Sequence, residues 1–310
     1  MSYKLAHISD IHMSPLPGVR SIDLLSKRIT GYINWKRNRA AHMDSDTLVR
    51  LVNAMKAGTP DHIAVTGDLT NLALDAEIAN AALWLRSLGA DSDVSVVPGN
   101  HDAYVPGALS KAAAAWRDNM TTEAPDTPVT SNGFPFLRRR GPLAVIGVNS
   151  AVATAPFFAS GIFSRRQANG LADLLRKADD DKLFRVVLIH HPPVRGATTA
   201  HKRLYGIGLF QKPLRRHGAE MVLHGHTHLP TLYWIAGKDN NVPVIGVPAA
   251  GQGPAGEKPP AQYNLLEIGG EAGKWQVNHT RRGVIDGAPT FRVKAEETVD
   301  LFSEPQYAAT

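Results

Sequence analysis

Cysteine is absent from the 310 residues. That excludes disulfides, thiolate metal sites and cysteine nucleophiles together, so any metal held here must sit on nitrogen and oxygen. Long apolar runs are missing too: nowhere do about 18 apolar residues follow one another. The opening MSYKLAHISD lacks a charged region leading into an apolar stretch. Neither a signal peptide nor a membrane span is therefore expected, and the expected location is the cytoplasm, with contact to the inner membrane surface left open. No internal repeat and no low-complexity linker interrupts the chain. Aromatic residues make up only 7 %, and no long basic groove interleaved with them occurs, which argues against a nucleic-acid partner.

What is present suits a globular protein. A 43 % hydrophobic and 20 % charged composition at this length supports a sizeable core. Runs rich in β-branched residues alternate with amphipathic helical patterns. KLAHIS, HIAVTGD and DVSVVPGN read as strands, with helices SDTLVRLVNAMKAG and DAEIANAALWLRSLG between them. Such βαβ repetition predicts a buried sheet with helical crossovers. Further along, FPFLRRRGPLAVIGVNS reads as two strands around a turn, SRRQANGLADLLRKADD as a helix capped by Ser164, and FRVVLIHHPP and AEMVLHGH as strands. From Pro230 onward strands and turns dominate. Residues 1–284 read as one catalytic domain with a basic insertion near 20–40, and 285–310 as a peripheral tail.

Polar residues able to bind metal stand at the ends of five of these strands: Asp10 and His12, Asp68, Asn100 and His101, His190 and His191, then His224, His226 and His228. In open α/β sheets, ligands bind outside the carboxyl ends of strands, so five strands point at one place. Taken alone, DIH or GDL is a turn or a chance pair, and HHPP could bury a satisfied core histidine. GHTH is stronger, because alternate residues on an extended segment face one side. The ordered combination makes chance a poor explanation.

The set DIH, GDL, GNHD, HHPP and GHTH, spanning roughly residues 4 to 250, resembles the calcineurin-like metallophosphoesterases. That resemblance implies a four-layer α/β/β/α sandwich with two mixed β-sheets and two divalent metal ions at one edge. Carried over by position, Asp10, His12 and His228 would hold one ion, Asn100, His190 and His226 the other, and Asp68 would bridge them. Two cations about 3.5–4 Å apart need a shared anion, and a water between them loses its proton near neutral pH to become the attacking hydroxide. His101 is assigned as general acid or electrostatic stabiliser, with Asp102 as its orienting partner. No ligand role falls to His191 or His224. Imidazole, carboxylate and amide oxygen suit Mn, Fe, Co and Zn alike.

Substrate signals lie outside these motifs. Ile22, Leu25, Ile29, Tyr32 and Ile33 recur at helical spacing beside Lys27, Arg28, Lys36 and Arg37. The segment reads as a structural cap, a substrate flap or a membrane-surface contact. Arg195, His201, Lys202 and Arg203 make a cationic loop after HHPP, and GVPAAGQGPAGEKPP reads as a flexible rim, since no helix follows it to make a phosphate cradle. The expected activity is hydrolysis of small phosphodiesters, such as cyclic nucleotides or glycerophosphodiesters. The alternative is a lipid-linked pyrophosphatase of the UDP-2,3-diacylglucosamine hydrolase type. A catalytically silent scaffold is disfavoured by the completeness of the ligand set.

Overall fold

The computed structural model describes residues 2–39, 42–121, 133–255, 257–283 and 296–300. Strand β1 (Tyr3–Ile8) leads into the cap, whose one regular helix is α1 (Arg28–Asn34). Then α2 (Ser45–Ala57), β2 (His62–Val65), α3 (Asp75–Leu88), β3 (Val94–Val96) and α4 (Ala108–Ala115) follow. Beyond them come β4 (Phe136–Arg140), β5 (Leu143–Gly147), β6 (Gly161–Ile162), α5 (Arg165–Asp180), β7 (Phe184–Leu188), β8 (Leu204–Tyr205), α6 (Ile207–His217) and β9 (Met221–His224). The described chain closes with β10 (Leu232–Ala236), β11 (Asn241–Gly246), β12 (Gln262–Gly269), β13 (Gln276–Gly283) and β14 (Glu296–Asp300).

These strands form two six-stranded mixed sheets, ordered β14-β13-β12-β1-β2-β3 and β10-β11-β9-β7-β5-β4. The β1, β2 and β3 run is parallel, as is β5, β7 and β9. Side-chain alternation explains the layering. In the second sheet Val145, Val186, Leu188 and Leu223 join the main core with β1, β2 and helices α2 to α4. Their neighbours Ala144, Ile146, Val187 and Val222 pack with α5 and α6 instead. One face of each strand thus meets the other sheet and the opposite face meets helices, which is the four-layer sandwich expected.

Local chemistry sets the helix starts. The Asp44 side chain accepts from the Asp46 and Thr47 amides, and Ser164 Oγ accepts from the Gln167 amide; such caps are each worth about 1 kcal/mol. Of the tail assigned to 285–310, only 296–300 lies within the described residues, where β14 pairs antiparallel with β13. The first half of the Gly-rich segment near 246–260 departs from the flexible rim expected of it, whereas residues 254, 255, 257 and 258 are exposed. Residues 246–253 are buried, the Ala250 amide donates to Ser9 O at 2.9 Å, and Gly251 O accepts from the Asp44 amide at 2.9 Å. Glycine there answers close packing: a Cβ at Gly251 would lie 2.6 Å from Ile11 O.

Candidate metal centre

The parallel strands β1, β2, β3, β7 and β9 end together, and the turns beyond them carry the ligand-bearing motifs. Asp10 N donates to Gly67 O and His12 N to Asp68 O, both at 2.9 Å, locking the first two turns side by side. His226 N donates to Asp10 Oδ2 at 2.9 Å and ties the second sheet to the first. The motif glycines allow this convergence. A Cβ on Gly99 would collide with Asp68 Oδ1, and one on Gly225 with Ser9 Oγ. Five of the ligand candidates have positive φ: Asp10 (54°), His12 (43°), Asp68 (56°), His226 (69°) and His228 (58°). Non-glycine residues seldom adopt that region, and such strain persists where surrounding structure enforces it.

Every sequence-assigned ligand reaches this place. Asp10, His12 and His228 bring ligand atoms within 4.8 Å of one another, as do Asp10, Asp68 and His190, and His12, Asp68 and His101. Asp68 Oδ2 lies 3.7 Å from His12 Nε2 and 3.4 Å from His190 Nε2, while Asp10 Oδ1 lies 3.1 Å from His228 Nε2. Asn100 Oδ1 sits 3.2 Å from His190 Nε2 and 2.9 Å from His226 Nδ1.

Backbone carbonyls fix the imidazole tautomers, because a carbonyl can only accept. His190 Nδ1 donates to Thr66 O at 2.6 Å, and His12 Nδ1 to Thr70 O at 3.2 Å. His226 uses the other nitrogen, with Nε2 donating to Lys202 O at 2.9 Å. In each ring the remaining nitrogen faces carboxylate or amide oxygens. Buried carboxylate and imidazole groups this close call for positive charge among them, from a ring proton or a metal ion. Carbonyl partners of this kind are the usual supports of metal-binding histidines.

Charge points the same way. Asp10 is fully buried, which is costly for a carboxylate unless a positive charge lies beside it. Burial would raise the Asp10 pKa, but the His228 ring beside it outweighs burial and drives it down. Burial would likewise lower the His190 pKa, yet the Asp68 carboxylate pushes it up to about 9. The donor set of imidazole, carboxylate and amide oxygen fits divalent metal.

His101 stands at the edge of this group. Its amide donates to Asp68 Oδ1 at 2.7 Å, its Nδ1 donates to Asn71 O at 2.6 Å, and its ring centroid is 4.9 Å from that of His12. Asp102 serves a different purpose from the one expected. Its carboxylate accepts from the amides of Asp68, Leu69, Thr70 and Gly99 at 2.8–3.0 Å, so it shapes the Asp68 turn while the Asn71 carbonyl orients His101. Buried Glu77 in turn accepts from the Asn71, Leu72 and Leu74 amides. Neither Asn71 nor Glu77 was recognisable from its own motif. A glutamate three residues after Leu74 at a helix start was the available signal, and it reads as a simple cap.

The flanking histidines are engaged elsewhere. His191 Nδ1 meets Ser150 Oγ at 2.8 Å and its Nε2 donates to Ala159 O at 3.1 Å. His224 bonds Gly225 O at 2.9 Å and Thr231 Oγ1 at 3.1 Å. Both are buried rings with two partners. In the cationic loop after HHPP, the Lys202 carbonyl reaches the site through His226, while the side chains of Arg195, Lys202 and Arg203 are exposed. That loop encloses a cavity of about 660 Å³ lined by Arg195, Arg203, Tyr205 and Leu209 among others.

The cap meets the site through Tyr104, whose ring stacks on His101 at 5.4 Å between centroids. Lys27 Nζ lies 4.6 Å from the Tyr104 centroid and donates to Thr154 Oγ1 at 2.7 Å and Phe158 O at 3.1 Å. Arg28 donates to the Leu72 and Ala73 carbonyls at 2.9 and 2.6 Å. Gly31 abuts the Tyr104 hydroxyl so closely that a Cβ would collide with it.

The calcineurin-like phosphoesterase family model matches residues 3–230, and the chain belongs to that family. Among solved structures it is similar to a dimetal phosphatase from Danio rerio, with 13 % identity and a TM-score of 0.59, over 92 % of this chain and 97 % of that one. It is also similar to purple acid phosphatase PPD1 from yellow lupin seeds, with 11 % identity and a TM-score of 0.52, over 91 % of this chain and 52 % of that one. At these identities the likeness shows the fold. No curated protein matches the chain.

Proposed function

We propose that the protein is a phosphodiesterase that hydrolyses P–O bonds of small phosphodiesters with two divalent ions. Asp10, His12 and His228 hold one ion, Asn100, His190 and His226 hold the other, and Asp68 is shared. The reading rests on one observation above all: side chains from five strand ends converge their ligand atoms around two buried carboxylates, with three imidazoles oriented by carbonyls. When bound, such ions acidify a water and draw charge from the phosphoryl oxygens; Mn, Fe, Co and Zn all suit these donors.

The chain's own residues supply the rest. With Nδ1 committed to Asn71 O, a protonated His101 carries its second proton on Nε2. As the P–O bond breaks, that proton passes to the departing alkoxide oxygen, and solvent reprotonates the ring. Tyr104 holds the imidazole plane by stacking. A second reading, cleavage of a pyrophosphate in a lipid-linked nucleotide, is favoured by one feature, the exposed apolar side chains of the cap. Activity against bis(p-nitrophenyl) phosphate, a cyclic nucleotide, a glycerophosphodiester and a UDP-linked lipid in micelles, with added Mn and with chelator, tests both. Chelator-sensitive turnover of the soluble diesters supports the first reading; turnover of the lipid alone replaces it with the second; no turnover of any contradicts both.

A further inference from the structure

At the start of α1 two cations point inward while aliphatic neighbours point outward. Lys27 and Arg28 turn inward onto Thr154, Phe158, Leu72 and Ala73. Aliphatic side chains of the cap turn outward: Leu25 is 83 % exposed, Ile22 67 %, Ile29 48 % and Ile33 44 %. The exposure does not stop at the cap. Phe157, also 83 % exposed, and Phe158 lie on the loop that Lys27 grips. Ile162 and Tyr205 face out from the paired strands β6 and β8, and Leu229 follows His228 directly.

Three of these segments border the candidate metal centre. Ala159 O holds His191, Lys202 O holds His226, and the cap lies on the Tyr104 ring that stacks on His101. Among the described residues, the exposed large hydrophobic side chains away from this mouth are Val49 and Leu83. A belt of apolar groups around one opening is beyond what solvation alone explains.

Charge selects the occupant. Lys36 and Arg37 are exposed just after α1, and Arg195, Lys202 and Arg203 are exposed on the facing loop. A second copy docking by the same face would set these cations against their own kind. Anionic lipid headgroups would neutralise them while the apolar side chains enter the acyl boundary. We propose that this belt seats the protein on an anionic bilayer with the mouth of the metal centre toward the membrane. The proposal stands apart from the phosphodiesterase reading, since it is tested without turnover.

The experiment is co-sedimentation of the full chain with phosphatidylcholine vesicles, with and without phosphatidylglycerol. The expected result is binding to the phosphatidylglycerol vesicles that weakens with salt. Leu25→Ser combined with Phe157→Ser should lower partitioning about tenfold or more, and Lys36→Glu with Arg37→Glu should also lower it. Val49→Ser with Leu83→Ser should leave it unchanged. Thermal melting followed by circular dichroism verifies that each variant is folded. Absence of binding to either vesicle, equal loss in the Val49 and Leu83 variant, or no loss in the Leu25 and Phe157 variant overturns the proposal. So does dimerisation that the Leu25 and Phe157 changes abolish without any vesicle binding.

Discussion

The metal centre and the cap, joined by the stack of His101 on Tyr104, follow opposite physical rules. In the centre, polar side chains are buried, the backbone is held in left-handed conformations at five candidate ligands, and carbonyls fix the imidazoles. In the cap, Ile22, Leu25, Ile29 and Ile33 are exposed, Lys27 and Arg28 point inward, and α1 buries none of its residues. One region pays stability for preorganisation, whereas the other leaves apolar surface outside the fold. The contrast teaches that the convergence of ligands and the exposed apolar surface beside it rest on different residues, and substitutions can test that separation.

The largest effect is expected at Asp68, the carboxylate proposed to be shared. Even residues that merely support metal ligands cost 10–100-fold in affinity or activity, so Asp68→Ala should lower metal affinity and activity by more than about 100-fold, read by metal analysis and by diester turnover. His101→Gln should retain both ions and lose roughly 10²–10⁴-fold in kcat. Metal loss in that variant equal to the loss in Asp68→Ala would erase the distinction between holding ions and moving a proton. Gly31→Val probes the joint between the two regions, because its side chain collides with Tyr104. Metal content should stay unchanged while kcat falls, with a stability cost of about 1–3 kcal/mol for the forced repacking.

The effect least tied to activity concerns the body beneath both regions. Burial, with Arg140 and Arg138 nearby, lowers the His62 pKa to about 3; burial and Arg281 lower that of His279 to about 4. Unfolded histidine takes up its proton near 6.5, so the unfolded state binds more protons as pH falls below that value. Stability is therefore full above about pH 6.5 and declines by about 1.4 kcal/mol per pH unit for each histidine until its folded pKa is reached. Urea unfolding at pH 7, 6 and 5 checks this, and His62→Gln should make the decline shallower.

Much of this architecture was legible because periodicity and strand-end polarity are local signals. KLAHIS lies within one residue of β1, and Ser164 caps α5 as its hydroxyl and position require. The ligand positions were legible for a related reason: each is a polar residue placed just past a buried strand, several of them after a glycine. Long-range geometry was less accessible. Asp102 looked like a partner for its neighbour His101, but its acceptors meet amides of the turn beyond β2, more than 30 residues away in sequence. The helical spacing of Ile22, Leu25, Ile29 and Ile33 marked a stripe without saying which way it faces. That direction is set by the Leu72, Ala73 and Phe158 carbonyls, which capture Arg28 and Lys27 and belong to other parts of the chain. The Gly-rich 246–253 segment misled for the same reason: composition suggested mobility, whereas the Ser9 carbonyl and Asp44 amide fasten it.

The central claim is that these side chains assemble around a pair of ions sharing Asp68. Anomalous diffraction from crystals loaded with Mn, collected on both sides of the metal absorption edge, tests it most directly. Two peaks are expected, one bounded by Asp10, His12 and His228, the other by Asn100, His190 and His226, with Asp68 contacting both. A map with no peak there at saturating metal, or with Asp68 touching neither ion, contradicts it.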